Sequence, residues 1–414
     1  MSVLSFEDAR RTVEEHARNV RVPDWERTDL LHSVNRVLAQ QITCDRDLPP
    51  FPRSTRDGFA VRAVDIAQLP ARLKVIAEVR AGMDASRLRI GSGECAEIMT
   101  GAVVPDAANA VVMVEHTRAG RAFSSADSTR EVEINRAVEV GENIVPPGSE
   151  ARAGEVLLEA GLRLTPAAIA AAASVGLAEL VIFKQPGIAI LSTGDELVDV
   201  ASQPAPHQIR NSNTYSLAAQ VTRAQAVPVA LPIAPDDEVI LNHLIEEGLD
   251  CDLLLLTGGV SMGKYDLVEK VLGDLGAEFL FTGALIQPGK PVVFGRVVWN
   301  SETKYFFGLP GNPVSTVVTF ELFARPMIEA LSGTAISPLR FGSARLKSEI
   351  RTKTGLTRFL PALLTGEFDN LEVELLRWQG SGDIVATARA NSFAVIPPDR
   401  ERIAAGEIIS VLNV

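Results

Sequence analysis

The sequence predicts a multidomain α/β protein whose centre is a doubly wound sheet, and three stretches predict it. Asp252–Asp266 reads DLLLLTGGVSMGKYD, and its four consecutive leucines suit a strand buried on both faces of a parallel sheet. Gly187–Leu197, GIAILSTGDEL, and Phe306–Phe320, FFGLPGNPVSTVVTF, repeat the plan of a short apolar strand followed by a polar loop. Polar loops at the carboxyl ends of neighbouring strands converge on one crevice in such a sheet.

The loop chemistry is specific. After Thr257, Gly258 and Gly259 let the backbone turn tightly and expose its N–H groups, and a helix is expected from Ser261 through Gly273. Glycine turn and helix N-terminus together make an anion site, because unpaired N–H groups and the helix dipole point the same way. Ser261 adds a hydroxyl there, Lys264 a positive charge and Asp266 a carboxylate for a divalent cation. In the second stretch Thr193-Gly194 precedes the paired acids Asp195 and Glu196. In the third, Leu309-Pro310-Gly311-Asn312-Pro313 is a rigid turn, with Pro313 a good first helical position. Each loop alone reads as an ordinary strand-to-helix turn. Three in one domain point to a phosphate-bearing ligand.

The other elements follow in chain order. At 414 residues the chain exceeds one ordinary core, so two to four domains are expected. Ser5-Phe6-Glu7-Asp8 resembles a helix cap, with helical periodicity from Phe6 to Val20. A second helix is expected from about Asp29 to Gln41, with Leu30, Leu31, Val34 and Leu38 on one face. Leu73–Gly82, Glu94–Pro105 and Ala108–Thr117 are short β-favouring runs divided by Gly and Pro, which indicates a β domain inserted into the helical one. Leu164–Phe183 is the most membrane-like stretch, yet Pro166, Ser174 and Glu179 interrupt it. Thr165 as N-cap, Pro166 at the first position and Gly176 past the end frame a short helix instead. Beyond Gly333 the pattern turns to β: Leu346–Leu364 and Leu371–Leu376 alternate, and Ser381–Pro398 reads as two strands.

Composition excludes several function classes. With 46% hydrophobic and 22% charged residues the chain is globular, and a net charge of −12 argues against a nucleic-acid partner. Cys44, Cys95 and Cys251 lie far apart with no CxxC pair, which excludes a zinc cluster by spacing and suits a reducing compartment. The five histidines are scattered, so no histidine metal site or Ser-His-Asp order is proposed. Charged residues appear by Glu7 with no apolar run after them, so no secretory signal is expected and the protein is placed in the cytoplasm.

One cluster lies outside the α/β region. In LPPFPRSTRDGFAVRA, Leu48–Ala63, three prolines stiffen the backbone and Asp57 stands among Arg53, Arg56 and Arg62. It is either a solvated loop with surface ion pairs or a site that positions an anion or metal. Thr100-Gly101 closes a strand before Pro105, where the hydroxyl serves a ligand or caps a turn.

Taken in order, DGFAVRA, IMTGAVVPDAANAVVMVE, STGDEL, Ser212-Asn213, TGGVSMGKYD, QPGKP and GLPGNPVS resemble the molybdopterin molybdenumtransferase family, related to the gephyrin E domain. The resemblance runs from about residue 5 to the end. It implies a split helical domain at residues 1–45 and 142–180, an inserted β domain at 46–141, an α/β molybdopterin-binding domain at 181–331 and a C-terminal β-barrel-like domain at 332–414. It also implies a homodimer whose active cleft joins the α/β domain of one subunit to the inserted domain of the other. The implied substrates are adenylylated molybdopterin and molybdate, the products molybdenum cofactor and AMP, and the assisting ion Mg2+. The adenylyltransferase acting upstream and molybdoenzyme clients are implied partners, with neither nucleic acid nor membrane.

Carried over by matching motif, the implied catalytic residues are Asp57, Thr100, Glu196 and Asp266. The implied ligand-binding residues are Thr193, Gly194, Asp195 and Asn213 on one side. Thr257, Gly258, Gly259, Ser261 and Lys290 join them, with Pro310, Gly311, Asn312, Pro313 and Ser315. Asp266, Glu196 and Asp236 would hold the metal, with Asp237 an equal alternative to Asp236. Two departures stand out. Gln287 precedes Pro288-Gly289-Lys290-Pro291 where the family commonly has lysine, and Arg53-Ser54-Thr55-Arg56 replaces the usual small apolar lead-in to Asp57. Arg56 is a candidate to replace the lost charge. Gln287 favours an alternative reading, a non-catalytic carrier of molybdopterin; a paralogue with altered metal use is another. The adenylyltransferase step itself is disfavoured, because the enzyme performing it normally lacks the inserted and C-terminal domains.

Overall fold

Ser5 ends the extended N-terminal backbone and caps the first helix, its hydroxyl accepting the Asp8 N–H at 3.0 Å. That helix, α1, spans Phe6–Ala17 and buries Ala9, Val13 and Ala17. The structure, a computed structural model, describes residues 2–119, 130–258, 267–335, 338–339 and 341–413. The chain divides into two compact units: 1–39, 161–164 and 180–414 form one, 40–160 and 165–179 the other.

The helix expected over Asp29–Gln41 is not formed. Asp29 caps only a single 3-10 turn, Leu30–His32, and Asn35 adopts a left-handed φ of 63° that no helix accommodates. Beyond it the Leu38 N–H donates to Leu162 O and the Ala39 N–H to Val181 O, so the segment is extended and pairs laterally. Its apolar spacing serves a bridge, and Leu31 stays 89% exposed.

The unit built on 40–160 holds the inserted sheet. Its strands are β1 (Gly58–Val61), β2 (Ala71–Val79), β3 (Glu94–Ile98), β4 (Ala110–Met113), β5 (Thr117–Ala119) and β6 (Glu131–Ile134), in the order β4-β1-β3-β2-β6-β5. Both faces are covered. Phe59, Val61, Cys95 and Val112 pack on one, and Ala60, Ala96, Ile98 and Val111 on the other. Helix α2 (Pro166–Ser174) closes this unit, with the Thr165 hydroxyl accepting the Ala168 N–H and Gly176 left-handed past its end.

In the larger unit the α/β sheet contains β7 (Gly187–Ser192), β8 (Val227–Ala230), β9 (Leu253–Thr257), β10 (Glu278–Phe281), β11 (Val293–Trp299) and β12 (Glu302–Leu309). Their order is β8-β7-β9-β12-β11-β10, with β8, β7, β9 and β12 parallel and β11 antiparallel to both neighbours. The helices are α3 (Asn213–Arg223), α4 (Glu238–Leu249), α5 (Leu267–Asp274), α6 (Pro313–Thr319) and α7 (Arg325–Leu331), with a π turn, Phe320–Ala324, joining the last two. Alternation along β9 shows why it needs four leucines. Leu254 and Leu256 face α4 and α5 through Leu241, Ile245, Val268 and Leu272, while Leu253 and Leu255 face α1, α3 and α6 through Val13, Leu217 and Val318. All four are at most 1% exposed, each worth roughly 1.5–3 kcal/mol of burial.

The C-terminal strands β13 (Phe341–Leu346), β14 (Thr357–Thr365), β15 (Glu372–Leu375), β16 (Ser392–Ile396) and β17 (Ile408–Asn413) close on themselves in the ring β14-β15-β13-β17-β16-β14. A two-residue strand from the α/β domain, Ile286–Gln287, adds in parallel to β14. Ser381–Pro398 contains one strand, not two. Its first half is helix α8 (Ile384–Arg389), because the Asp383 carboxylate accepts the Ala386 N–H at 3.0 Å and starts a turn there.

Candidate functional site

The carboxyl ends of β7, β9 and β12 bring the starts of the three polar loops together. The Thr193 N–H donates to Thr257 O at 3.0 Å, the Gly194 N–H to Ala234 O at 3.1 Å, and the Thr257 hydroxyl to Pro310 O at 3.3 Å. Gly258 sits at the crossing. Its φ of +89° disfavours any side chain, a Cβ there would strike the Thr193 carbonyl, and its Cα would lie 3.5 Å from a Cβ on Gly311.

Asn213, the first residue of α3, fastens the loops to one another. Its amide donates to the Thr257 hydroxyl at 3.0 Å and to Gly311 O at 2.8 Å. Below it, Ser192 Oγ meets Asn211 Oδ1 at 3.1 Å and Thr214 Oγ1 at 2.8 Å, anchoring the start of α3 to the end of β7. Among the described residues, two buried polar atoms in this cluster have no hydrogen-bond partner: Thr193 Oγ1 and Asn213 Oδ1. Leaving such atoms unsatisfied costs about 1–3 kcal/mol each, which makes these two candidates to bond a ligand in the crevice. At the third loop Asn312 precedes α6, the Pro310 carbonyl accepts the Thr316 hydroxyl at 2.6 Å, and Ser315 is buried. The Val314 N–H donates to Ser381 O at 3.0 Å, so this helix start is already partly capped by the C-terminal domain.

Acid groups gather beside Thr193. The Asp236 N–H donates to Asp195 Oδ1 at 3.1 Å. Partial burial raises the Asp236 pKa, and the Asp195 and Glu196 charges push it further up. Crowded carboxylates of this kind suit a divalent cation that takes further oxygens from a phosphate. Among the described residues no group of three or more His, Cys, Asp or Glu side chains converges as a metal cage. Asp237 is occupied elsewhere, since its carboxylate accepts the Val239 and Ile240 N–H groups, each at 3.0 Å, as the N-cap of α4. Gly259, Ser261, Lys264 and Asp266 lie outside the described residues.

The Gln287–Lys290 loop packs on α6, where a Cβ on Gly289 would meet the Thr319 methyl at 2.5 Å. Gln287 is not isolated. The Arg358 Nε, on β14, donates to its side-chain oxygen at 2.8 Å, and Arg358 Nη1 donates to Leu356 O at 3.1 Å. Arg358 is 7% exposed, its pKa lowered by burial, and both of these acceptors are neutral. A guanidinium therefore stands beside Gln287. Arg358 was not legible in the sequence, since 71 residues separate it from Gln287 and no motif joins them. Lys290 is exposed and makes no ion pair among the described residues.

In the other unit, Asp57 and Thr100 meet. The Thr100 N–H and hydroxyl both donate to Asp57 Oδ1, at 2.7 and 2.9 Å, and hold its carboxyl below the usual carboxylate range. The neighbouring arginines turn elsewhere: Arg53 pairs with Glu150 at 2.6 Å and Arg62 with Asp65 at 3.7 Å. Asp57 and Thr100 are both exposed.

Known proteins resemble this chain along nearly its whole length. Family models match residues 4–176 as the MoeA N-terminal region (domain I and II), 189–330 as a probable molybdopterin binding domain and 343–414 as the MoeA C-terminal region (domain IV). The molybdopterin molybdenumtransferase of Bacillus subtilis (strain 168) is 34% identical over 389 residues, covering 92% of this chain and 87% of that protein. That of Staphylococcus aureus (strain COL) is 32% identical over 390 residues, covering 92% and 89%. The molybdopterin biosynthesis MoeA protein of Pyrococcus horikoshii superposes with a TM-score of 0.73 at 30% identity, covering 100% of this chain and 99% of that one. A molybdopterin biosynthesis MoeA protein of Pyrococcus horikoshii OT3 gives 0.77 at 25% identity, covering 100% of each. The chain belongs to the molybdopterin molybdenumtransferase family of transferases.

Proposed function

We propose that this protein inserts molybdenum from molybdate into adenylylated molybdopterin, releasing AMP, and that it acts as a homodimer. The observation that carries the reading is the pair of unsatisfied buried atoms, Thr193 Oγ1 and Asn213 Oδ1, at the crossing of three strand-end loops. These atoms would bond the pterin or its phosphates. Gly258, Gly311 and Asn312 would let backbone approach the pyrophosphate, with Pro310, Pro313, Thr257 and Ser315 fixing the loops around it. Glu196 and Asp236, with Asp195 behind them, would hold magnesium, which when bound polarises the pyrophosphate link. Asp266 and Ser261 complete the carried-over set. Arg358, through Gln287, together with Lys290, would present positive charge to an oxyanion. Asp57, kept ionised by Thr100, would orient molybdate or the attacking water.

The test uses purified protein with adenylylated molybdopterin, molybdate and Mg2+, following AMP release and active cofactor. Both should appear with the wild type. Asp57→Asn should bind the substrate and melt within a few degrees of the wild type, since exposed substitutions rarely cost much stability, yet fail to insert metal. Binding without AMP release in the wild type would instead establish the carrier reading that Gln287 suggests.

A further inference from the structure

A second cavity, of about 350 Å³, lies in the larger unit away from the strand-end loops, and no residue of the strand-end crevice lines it. Its walls carry four guanidinium groups: Arg10 on α1, Arg163, Arg223 in the last turn of α3, and Arg325 at the start of α7. Two carboxylates face them, Glu321 of the π turn and Glu329. In a chain of net charge −12 this is a local reversal of sign.

The two acids inside offset only part of it, since four guanidinium groups line the wall against two carboxylates. Glu321 is 4% exposed and already engaged: Arg325 Nε and Nη2 donate to its two oxygens at 2.5 and 2.8 Å, and Gln220 Nε2 adds a third bond at 2.8 Å. Arg10 is turned toward Glu14 at 2.6 Å and Leu322 O at 3.0 Å, and Arg163 Nη1 donates to Asn35 O at 2.8 Å. Arg223 makes no ion pair among the described residues. Asn35, Gln225 and Asn413 add amides to the wall, and Pro326, Leu339 and Leu412 add apolar surface. Guanidinium forks match the paired oxygens of carboxylates and phosphates, and a walled cavity concentrates their field.

We propose that this cavity binds a compact dianion, a phosphate monoester or a dicarboxylate, at a site separate from the one that handles the pterin. The volume suits a small ligand. The claim stands whether or not the metal-insertion reading holds.

Calorimetric titration of the intact protein at low ionic strength tests it, with inorganic phosphate in one arm and succinate in the other. At least one probe should bind one site per chain with a Kd of about 0.1–1 mM. Charge reversal in Arg223→Glu should weaken that binding at least about tenfold, and Arg223→Gln about threefold, because Arg223 is the lining guanidinium that makes no ion pair among the described residues. Arg223 is exposed, so both variants should fold, and the milder one serves if the reversal does not. Lys290→Gln, on the Gln287 loop, separates the two sites: phosphate held in the strand-end crevice is lost with it, while the binding that the Arg223 variants weaken should remain. The proposal is overturned if neither probe binds, if both Arg223 variants bind like the wild type, or if Lys290→Gln removes all binding.

Discussion

Among the described residues the Asp57 carboxylate accepts two hydrogen bonds, both from Thr100, and this makes its titration readable. Thr100 lowers the Asp57 pKa first through its N–H and then through its hydroxyl. A carboxyl lowered in the folded state contributes stability above its unfolded pKa, and that contribution is lost as pH falls through the folded value. In the proposed reaction Asp57 therefore stays ionised through the mildly acidic range. Thr100→Ala should move the acid limb of AMP release upward toward the ordinary carboxylate range; an unchanged limb would remove Asp57 from the chemistry. Arg358 makes a second prediction. Arg358→Gln should raise the molybdate KM by about 10–100-fold, the scale of a charged hydrogen bond, with little change for adenylylated molybdopterin. Molybdate saturation curves decide it, and an unaltered KM would leave Arg358 a packing residue. Asp57 and Thr100 were both legible as residues, but their meeting was not: 43 positions separate them, and the arginines beside Asp57 suggested a different partner. Arg56 was a candidate for the cation missing at Gln287, whereas the residue that bonds Gln287 is Arg358.

Among the elements, the end of β9 tolerates little change at Gly258. Gly258→Ala would combine a left-handed φ with a Cβ pressed into the Thr193 carbonyl, a strain of roughly 1–3 kcal/mol before the clash is added. Adenylylated molybdopterin binding should fall sharply while far-ultraviolet circular dichroism stays native. Wild-type binding would show that the three loops have slack. The strand itself was legible because burial on both faces leaves an unbroken apolar run, and Leu253 to Leu256 alternate between two helix layers as that run requires. The Asp29–Gln41 region misled for a physical reason. Apolar residues spaced for one helical face also serve an extended segment, and the φ of Asn35 is invisible in a periodicity. Ile384 and Val385 suggested a strand by propensity, but the Asp383 cap overrode it.

At the scale of the whole molecule, the proposed homodimer predicts a light-scattering mass twice that of the chain at micromolar concentration. A fully active monomer would overturn it. The broad architecture was legible because each region carries its own period: mixed strand and helix around 187–331, and short alternating strands on either side. The closure of the tail was less so, since alternation shows strands without showing that β14 and β16 meet to complete the ring. That ring has a consequence for how such proteins change over generations. It grips Ile286–Gln287 in parallel register, sends Arg358 onto Gln287, and lends the Ser381 carbonyl to the start of α6. A recombination event that deleted the tail would strip the α/β domain of three neighbours at once. A lineage that lost it would have to invent replacements on its own loops, so the two domains are expected to be inherited as a linked pair.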